Sequence, residues 1–190
     1  TAEADSCNQL ADVLGVAFKE KFLNHHGYLL DYVERDYTSW SVRPNMLIAS
    51  SLEYVPLTTQ EKKKIFDICT KELLTPKGIR SLSPKSGGYT PIYEGGQLQR
   101  DSAYHQGTVW PWLSGFYLET CLKVYKHSGL SWVDRHFVGL EEEMFYHGIG
   151  SIPEFFDGNP PYHGRGAISF AMNVAAILRV NKVLAKYYNY

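Results

Sequence analysis

A length of 190 residues fits one domain, and 44% hydrophobic content is enough to build a core, which excludes a disordered tail. Nineteen Lys and Arg against twenty Asp and Glu leave a net charge of −1, so no surplus of charge exists to grip a nucleic acid or an anionic membrane, and neither is expected as a partner. The cysteines, Cys7, Cys69 and Cys121, are odd in number and widely spaced. That spacing fits no disulfide framework or CxxC metal motif, so they read as buried thiols in a reducing, cytoplasmic setting. No apolar run reaches the length of a membrane span, and the first twenty residues carry acids in a helical pattern where a signal peptide would carry a basic end and an apolar stretch.

In chain order, Cys7, Leu10, Ala11, Leu14, Ala17, Phe18 and Phe22 recur at threes and fours and predict a helix over 4–23, stopped by His25, His26 and Gly27. A short extended segment follows over 28–33. A second helix is expected over 43–54, with Pro44 tolerated in its first turn because the amide it lacks has no helical partner there. Thr58 and Glu61 form a capping box for a third, whose apolar face is Ile65, Phe66, Ile68, Cys69 and Leu73. Residues 81–104 show no sustained period and read as a long irregular segment, of the kind that is usually functional or mobile. Helices are expected again over 105–127, 132–146 and 166–187, with a Gly- and Pro-rich loop over 148–164. Six helices without strand-length alternation predict an all-α fold of three helical hairpins with two long aromatic-rich loops, in a single segment over 1–190.

Fourteen Tyr, nine Phe and four Trp are unusual, because many of them fall in those Gly- and Pro-rich stretches, where aromatics often contact a flat ligand. GGQLQRDSAYHQGTVWPW (95–112) sets Arg100, Asp101, His105 and Gln106 beside Trp110 and Trp112. Polar groups beside aromatic faces suit a pyranose, which carries hydroxyls on its rim and C–H groups on its faces. An Arg100–Asp101 surface pair with the tryptophans as core anchors explains the same residues equally well. GSIPEFFDGNPP (150–161) places Glu154 and Asp157 beside Phe155 and Phe156, and a carboxylate next to apolar rings is partly desolvated in a way that favours proton transfer. Asp157 followed by Gly158, Asn159 and Pro160 is also turn chemistry, so a structural role is favoured for Asp157 and Glu154 is the better candidate. In WSVRPN (40–45), Arg43 and Asn45 either donate into a cleft or cap a helix. His25 and His26 lack a third ligand at metal spacing, which favours a solvated or capping role. No phosphate loop, GxSxG motif or Cys/His nucleophile pairing is present.

Taken together, RDSAYHQGTVWPW (100–112), SVRPN (41–45), ELLTPKGIRSLSP (72–84), YEG (93–95) and GSIPEFFDGNPP resemble the amylo-α-1,6-glucosidase domain of glycogen debranching enzymes, in order and over roughly residues 18–180. The resemblance implies half of an (α/α)6 toroid, the carboxy-terminal part of a domain about twice this length, in an enzyme that removes α-1,6-linked glucose from glycogen branches with inversion. It implies that Glu154 is the general base and that Arg43, Glu94, Arg100, Asp101, His105, Gln106 and Trp110 line the sugar pocket, with Arg100 and Asp101 on hydroxyls and Trp110 offering a face. His163 and Arg165 either close the pocket edge or bond the loop. The family's acid is an aspartate with no matching motif here. Asp101 is the one alternative within the chain, and neighbouring Arg100 would favour its ionised form. The expected partners are glycogen or a branched α-glucan and the missing N-terminal half of the enzyme, with no cofactor and no metal. A chain lacking the acid is expected to be inactive alone, with apolar faces left uncovered. The alternatives are a non-catalytic carbohydrate-binding or scaffold module, and a trehalase-like or oligosaccharide-trimming (α/α)6 glucosidase.

Overall fold

The structure, a computed structural model, describes residues 1–188. Among these, seven α-helices are present: α1 (Ala2–Phe22), α2 (Asn45–Ser51), α3 (Thr59–Glu72), α4 (Gln97–Ala103), α5 (Leu113–Tyr125), α6 (Leu130–Glu141) and α7 (Ala171–Tyr188). The expectation of an all-α chain needs correction. A hairpin joins β1 (Val33–Glu34) to β2 (Tyr37–Thr38), and a five-stranded antiparallel sheet runs β3 (Leu74–Thr75), β4 (Gly78–Arg80), β5 (Val109–Trp110), β6 (Phe155–Phe156) and β7 (Gly164–Arg165) in that order. Strands of two or three residues are too short for a period of two to show in sequence. Their partners are also remote: Val109 pairs with both Arg80 and Phe156.

This sheet rewrites two expected boundaries. The helix expected from residue 105 begins at Leu113, because Val109 and Trp110 are drawn into the sheet between β4 and β6. The last helix begins at Ala171 and not at 166, because Gly164 and Arg165 pair with β6. A further difference is α4, which lies inside the stretch read as irregular.

Helix α5 is the hub. It packs against α2, α3, α6 and α7 and buries every residue from Leu113 to Leu122 except Phe116, as a helix surrounded on all sides must. Leu47 of α2, Ile65 and Cys69 of α3, Tyr117 and Leu118 of α5, Val133 of α6, Val180 of α7 and Ile79 and Phe155 of the sheet close one hydrophobic core. Helix α3 starts at the capping box read from sequence: Glu61 N donates to Thr58 Oγ1 at 3.2 Å and Thr58 N donates to Glu61 Oε2 at 2.6 Å, worth about 1 kcal/mol. Helix α1 forms as its periodicity predicts but buries no residue. Phe18 and Phe22 reach the core, while Leu10, Val13, Leu14 and Val16 stay exposed. Cys7 sits on this helix and is exposed, against expectation, whereas Cys69 and Cys121 are buried free thiols. No helix among the described residues is long and apolar enough to cross a membrane.

Candidate active site

Glu154 lies immediately before β6, and every polar group of the residue is tied. Its N–H donates to Ala167 O at 2.9 Å, and Ala167 N returns a bond of 2.9 Å to Oε2. The Tyr104 hydroxyl donates to Oε1. Asn173 of α7, fully buried, clamps the peptide on either side: its Nδ2 donates to Pro153 O at 2.6 Å and to Glu154 O at 3.0 Å, while its Oδ1 accepts from Trp112 N at 2.9 Å. One side chain thus joins the Glu154 loop, α7 and the turn that starts α5. Gly166 is needed beside them. Its φ is +73°, and a Cβ there would stand 2.4 Å from Glu154 Oε2 and 2.8 Å from the Phe155 ring.

In front of this assembly lies a cavity of about 450 Å³. Arg43, Pro44, Asn45 and Ser81 line it together with His105, Trp110, Trp112, Phe170 and Met172, and Tyr104 connects it to Glu154, which stands one hydrogen bond behind the lining. Burial first, and then the adjacent Glu154 carboxylate, push the Tyr104 hydroxyl up to about 12, so at neutral pH it keeps its proton and donates. Desolvation against its ring neighbours, followed by the Arg43 charge, lowers the pKa of His105 and favours the neutral imidazole. The rings form a continuous stack: Phe155 lies 4.9 Å from Trp110, His105 lies 5.2 Å from the same indole, and Tyr104 meets it edge-on at 5.0 Å.

The residues expected at a sugar pocket are divided by the structure. Arg43, His105 and Trp110 line the cavity. Gln106 is held beside it, its Oε1 accepting from Arg43 Nη2 at 2.8 Å. Arg43 also donates from Nη1 to Ser81 O and His105 O, so its fork is largely spent on fixing the wall. Trp110 is only 5% exposed, with two rings stacked on it and its Nε1 donating to Thr108 Oγ1, which leaves little open face for a sugar. Glu94, Arg100 and Asp101 lie outside the lining. The Glu94 side chain is 70% exposed and 3.9 Å from Arg165. Arg100 donates to Gly95 O and Gln97 Oε1, and Asp101 accepts from Gln97 Nε2, so the two close α4 on itself and do not pair with each other. Asp157 is buried beneath a bidentate Arg165 and accepts from Tyr93 N, which is the structural role its turn sequence favoured, and Arg165 bonds the loop.

Two residues that carry the site escaped sequence reading. Tyr104 sat inside the quoted motif without a role, and Asn173 sat on an apolar helix with no signal beyond being polar there. Among the described residues no group of three or more His, Cys, Asp or Glu side chains is placed to hold a metal.

A sequence model of the amylo-alpha-1,6-glucosidase family matches residues 2–179. The glycogen debranching enzyme of Saccharomyces cerevisiae is 31% identical over 104 residues, which cover 50% of this chain and 7% of that enzyme. The neutral trehalase of Saccharomyces cerevisiae superposes with a TM-score of 0.63 at 15% identity, over 92% of this chain and 30% of its own. That likeness speaks to the fold, and it is consistent with the (α/α)6 arrangement. The chain spans only a small part of both relatives. With nearly its whole length matched by the family model, it belongs to the amylo-alpha-1,6-glucosidase family, a family of glycoside hydrolases.

Proposed function

We propose that this chain supplies one part of an inverting glucosidase that removes α-1,6-linked glucose from a branched α-glucan, with Glu154 as general base. Inversion requires an acid to protonate the leaving oxygen and a carboxylate about 6.5–9.5 Å away to activate water on the opposite face. The observation that carries the reading is the Glu154 carboxylate itself, fixed by Tyr104 on one oxygen and by Ala167 N on the other, one hydrogen bond behind the lining of an aromatic cavity. Each oxygen uses one lone pair in these bonds and keeps another to accept from water.

The acid belongs, on this reading, to a segment outside the chain. No carboxylate of the described residues lines the cavity; Asp31 stands behind its wall but is taken up by Asn45 and Arg43, and Asp101, the alternative, is exposed on α4 and engaged with Gln97. A two-carboxylate mechanism calls for no metal or cofactor. The further reading is that the complete enzyme works on glycogen in the cytoplasm, that residues 1–190 form a single segment of its glucosidase domain, and that the chain alone releases no glucose.

Glu154→Gln in the complete enzyme tests the central claim. Loss of about 10²–10⁴-fold in kcat with little change in KM identifies a base. An effect confined to binding identifies a non-catalytic sugar-binding module. Release of glucose from α-1,1 or α-1,2 linkages in preference to α-1,6 would identify a trehalase-like or trimming glucosidase. Full-rate glucose release by residues 1–190 alone would refute the external acid.

A further inference from the structure

A second set of exposed rings lies next to the cavity wall and is not used by the chemistry above. Trp40 is 51% exposed, with the His25 ring 5.6 Å and the His26 ring 6.5 Å from it, and His26 is stacked on Tyr28 at 6.0 Å with only 10° between planes. The Trp40 indole N–H and both imidazoles make no hydrogen bond among the described residues, so donors, acceptors and ring faces are all available. Packing accounts for Tyr28, which is partly buried against the core, but not for His25, His26 and Trp40, which are exposed and stand outside it.

The cluster is also held in place. Asn24 Oδ1 accepts from His26 N at 2.9 Å, and Gly27, at φ +86°, turns the chain there. Trp40 follows the β1–β2 hairpin, which is extended by the bond from Ser39 N to Tyr32 O. At the base of that hairpin Asp31 accepts from Asn45 Nδ2 at 2.7 Å and lies 3.6 Å from Arg43 Nε. Arg43 and Asn45 line the cavity, so the base of the hairpin that precedes Trp40 is bonded directly to the wall. With consecutive Cα atoms 3.8 Å apart, Trp40 lies within about 11 Å of Arg43 along the chain.

We propose that the Trp40–His25–His26 surface binds the α-glucan chain where it continues beyond the cavity, with the indole under a sugar face and the imidazole nitrogens on its hydroxyls. This rests on the glucan-hydrolase reading above. The chemistry matches: a glucose unit offers C–H faces to an aromatic ring and hydroxyls to unpaired donors and acceptors. A metal does not fit, because two adjacent imidazoles lack a third ligand among the described residues.

The test is titration of the chain with maltoheptaose, following the Trp40 indole resonance and the affinity. The indole signal moves on saturation, Trp40→Ala weakens binding about two- to tenfold as loss of a ring contact should, and Trp40→Tyr restores most of it. The His25→Ala, His26→Ala double variant removes two exposed side chains that bond nothing else, and it weakens binding even if Trp40→Ala proves unstable. No maltoheptaose binding by the unaltered chain, a motionless indole signal, or unchanged affinity in both variants would overturn the proposal. Failure of the catalytic reading shows separately, as an unchanged kcat in Glu154→Gln.

Discussion

Asn173→Ala is expected to damage both the stability of the chain and the aim of Glu154. The substitution deletes three hydrogen bonds at once. One of them leaves Pro153 O, in a fully buried bond, without a donor, and the other two are partly buried. A stranded buried carbonyl costs about 1–3 kcal/mol and each further bond contributes about 0.5–1.5 kcal/mol, so the sum is about 4 kcal/mol. For a chain of this size each kcal/mol moves the midpoint about 2–4 °C, which predicts a fall of about 10 °C. Urea and thermal unfolding of the chain measure it directly. Asn173→Asp keeps an acceptor for Trp112 N but faces Pro153 O and Glu154 O with no donor, so it should be no better than alanine. If Asn173→Ala unfolds within 1 kcal/mol of the unaltered chain, the clamp is not a principal support of this loop and the reasoning fails. In the complete enzyme the same substitution should lower kcat more than it alters KM, because the misplaced group is a base and not a sugar contact.

Gly166→Ala forces a methyl into the space of Glu154 Oε2 and strains a left-handed backbone, so activity of the complete enzyme should drop at least tenfold while the fold, read by circular dichroism, persists. Burial pushes His136 down to about 4 from an ordinary value near 6.5, while it bonds Ser114 at 2.9 Å. Because the unfolded state takes up a proton first, its contribution to stability is complete above about pH 6.5 and is lost as pH falls towards 4. Stability–pH curves of His136→Gln should be flatter in that window, and parallel curves would contradict the assignment. The uncovered face of α1 should make the chain self-associate, and Leu10→Lys with Leu14→Lys should shift it towards monomer in sedimentation, since both side chains are exposed and their replacement costs the core nothing. A monomeric parent at high micromolar concentration would refute this.

What the sequence by itself determined about this chain was whatever local chemistry specifies. The capping box at Thr58 and Glu61 is three residues long and satisfies its own donors, so it could be read and is formed. The periodicity of α1 likewise predicts a helix regardless of what covers it. Motif order led to the family, which the match over residues 2–179 supports. Tertiary structure alone decided the rest. The hairpin at 74–80 is local, but the strand at 109–110 exists only because the remote segments at 79–80 and 156 supply its partners, so Val109 and Trp110 left the helix their neighbours suggested. The same pairing brings Phe155 onto Trp110 and sets Glu154 against Tyr104, while a buried asparagine from α7, nearly twenty residues on, locks the arrangement. Arg100 and Asp101, which the family resemblance implied for the pocket, lie on α4 outside its lining and bond Gly95 and Gln97, because nearness along a chain fixes distance but not direction.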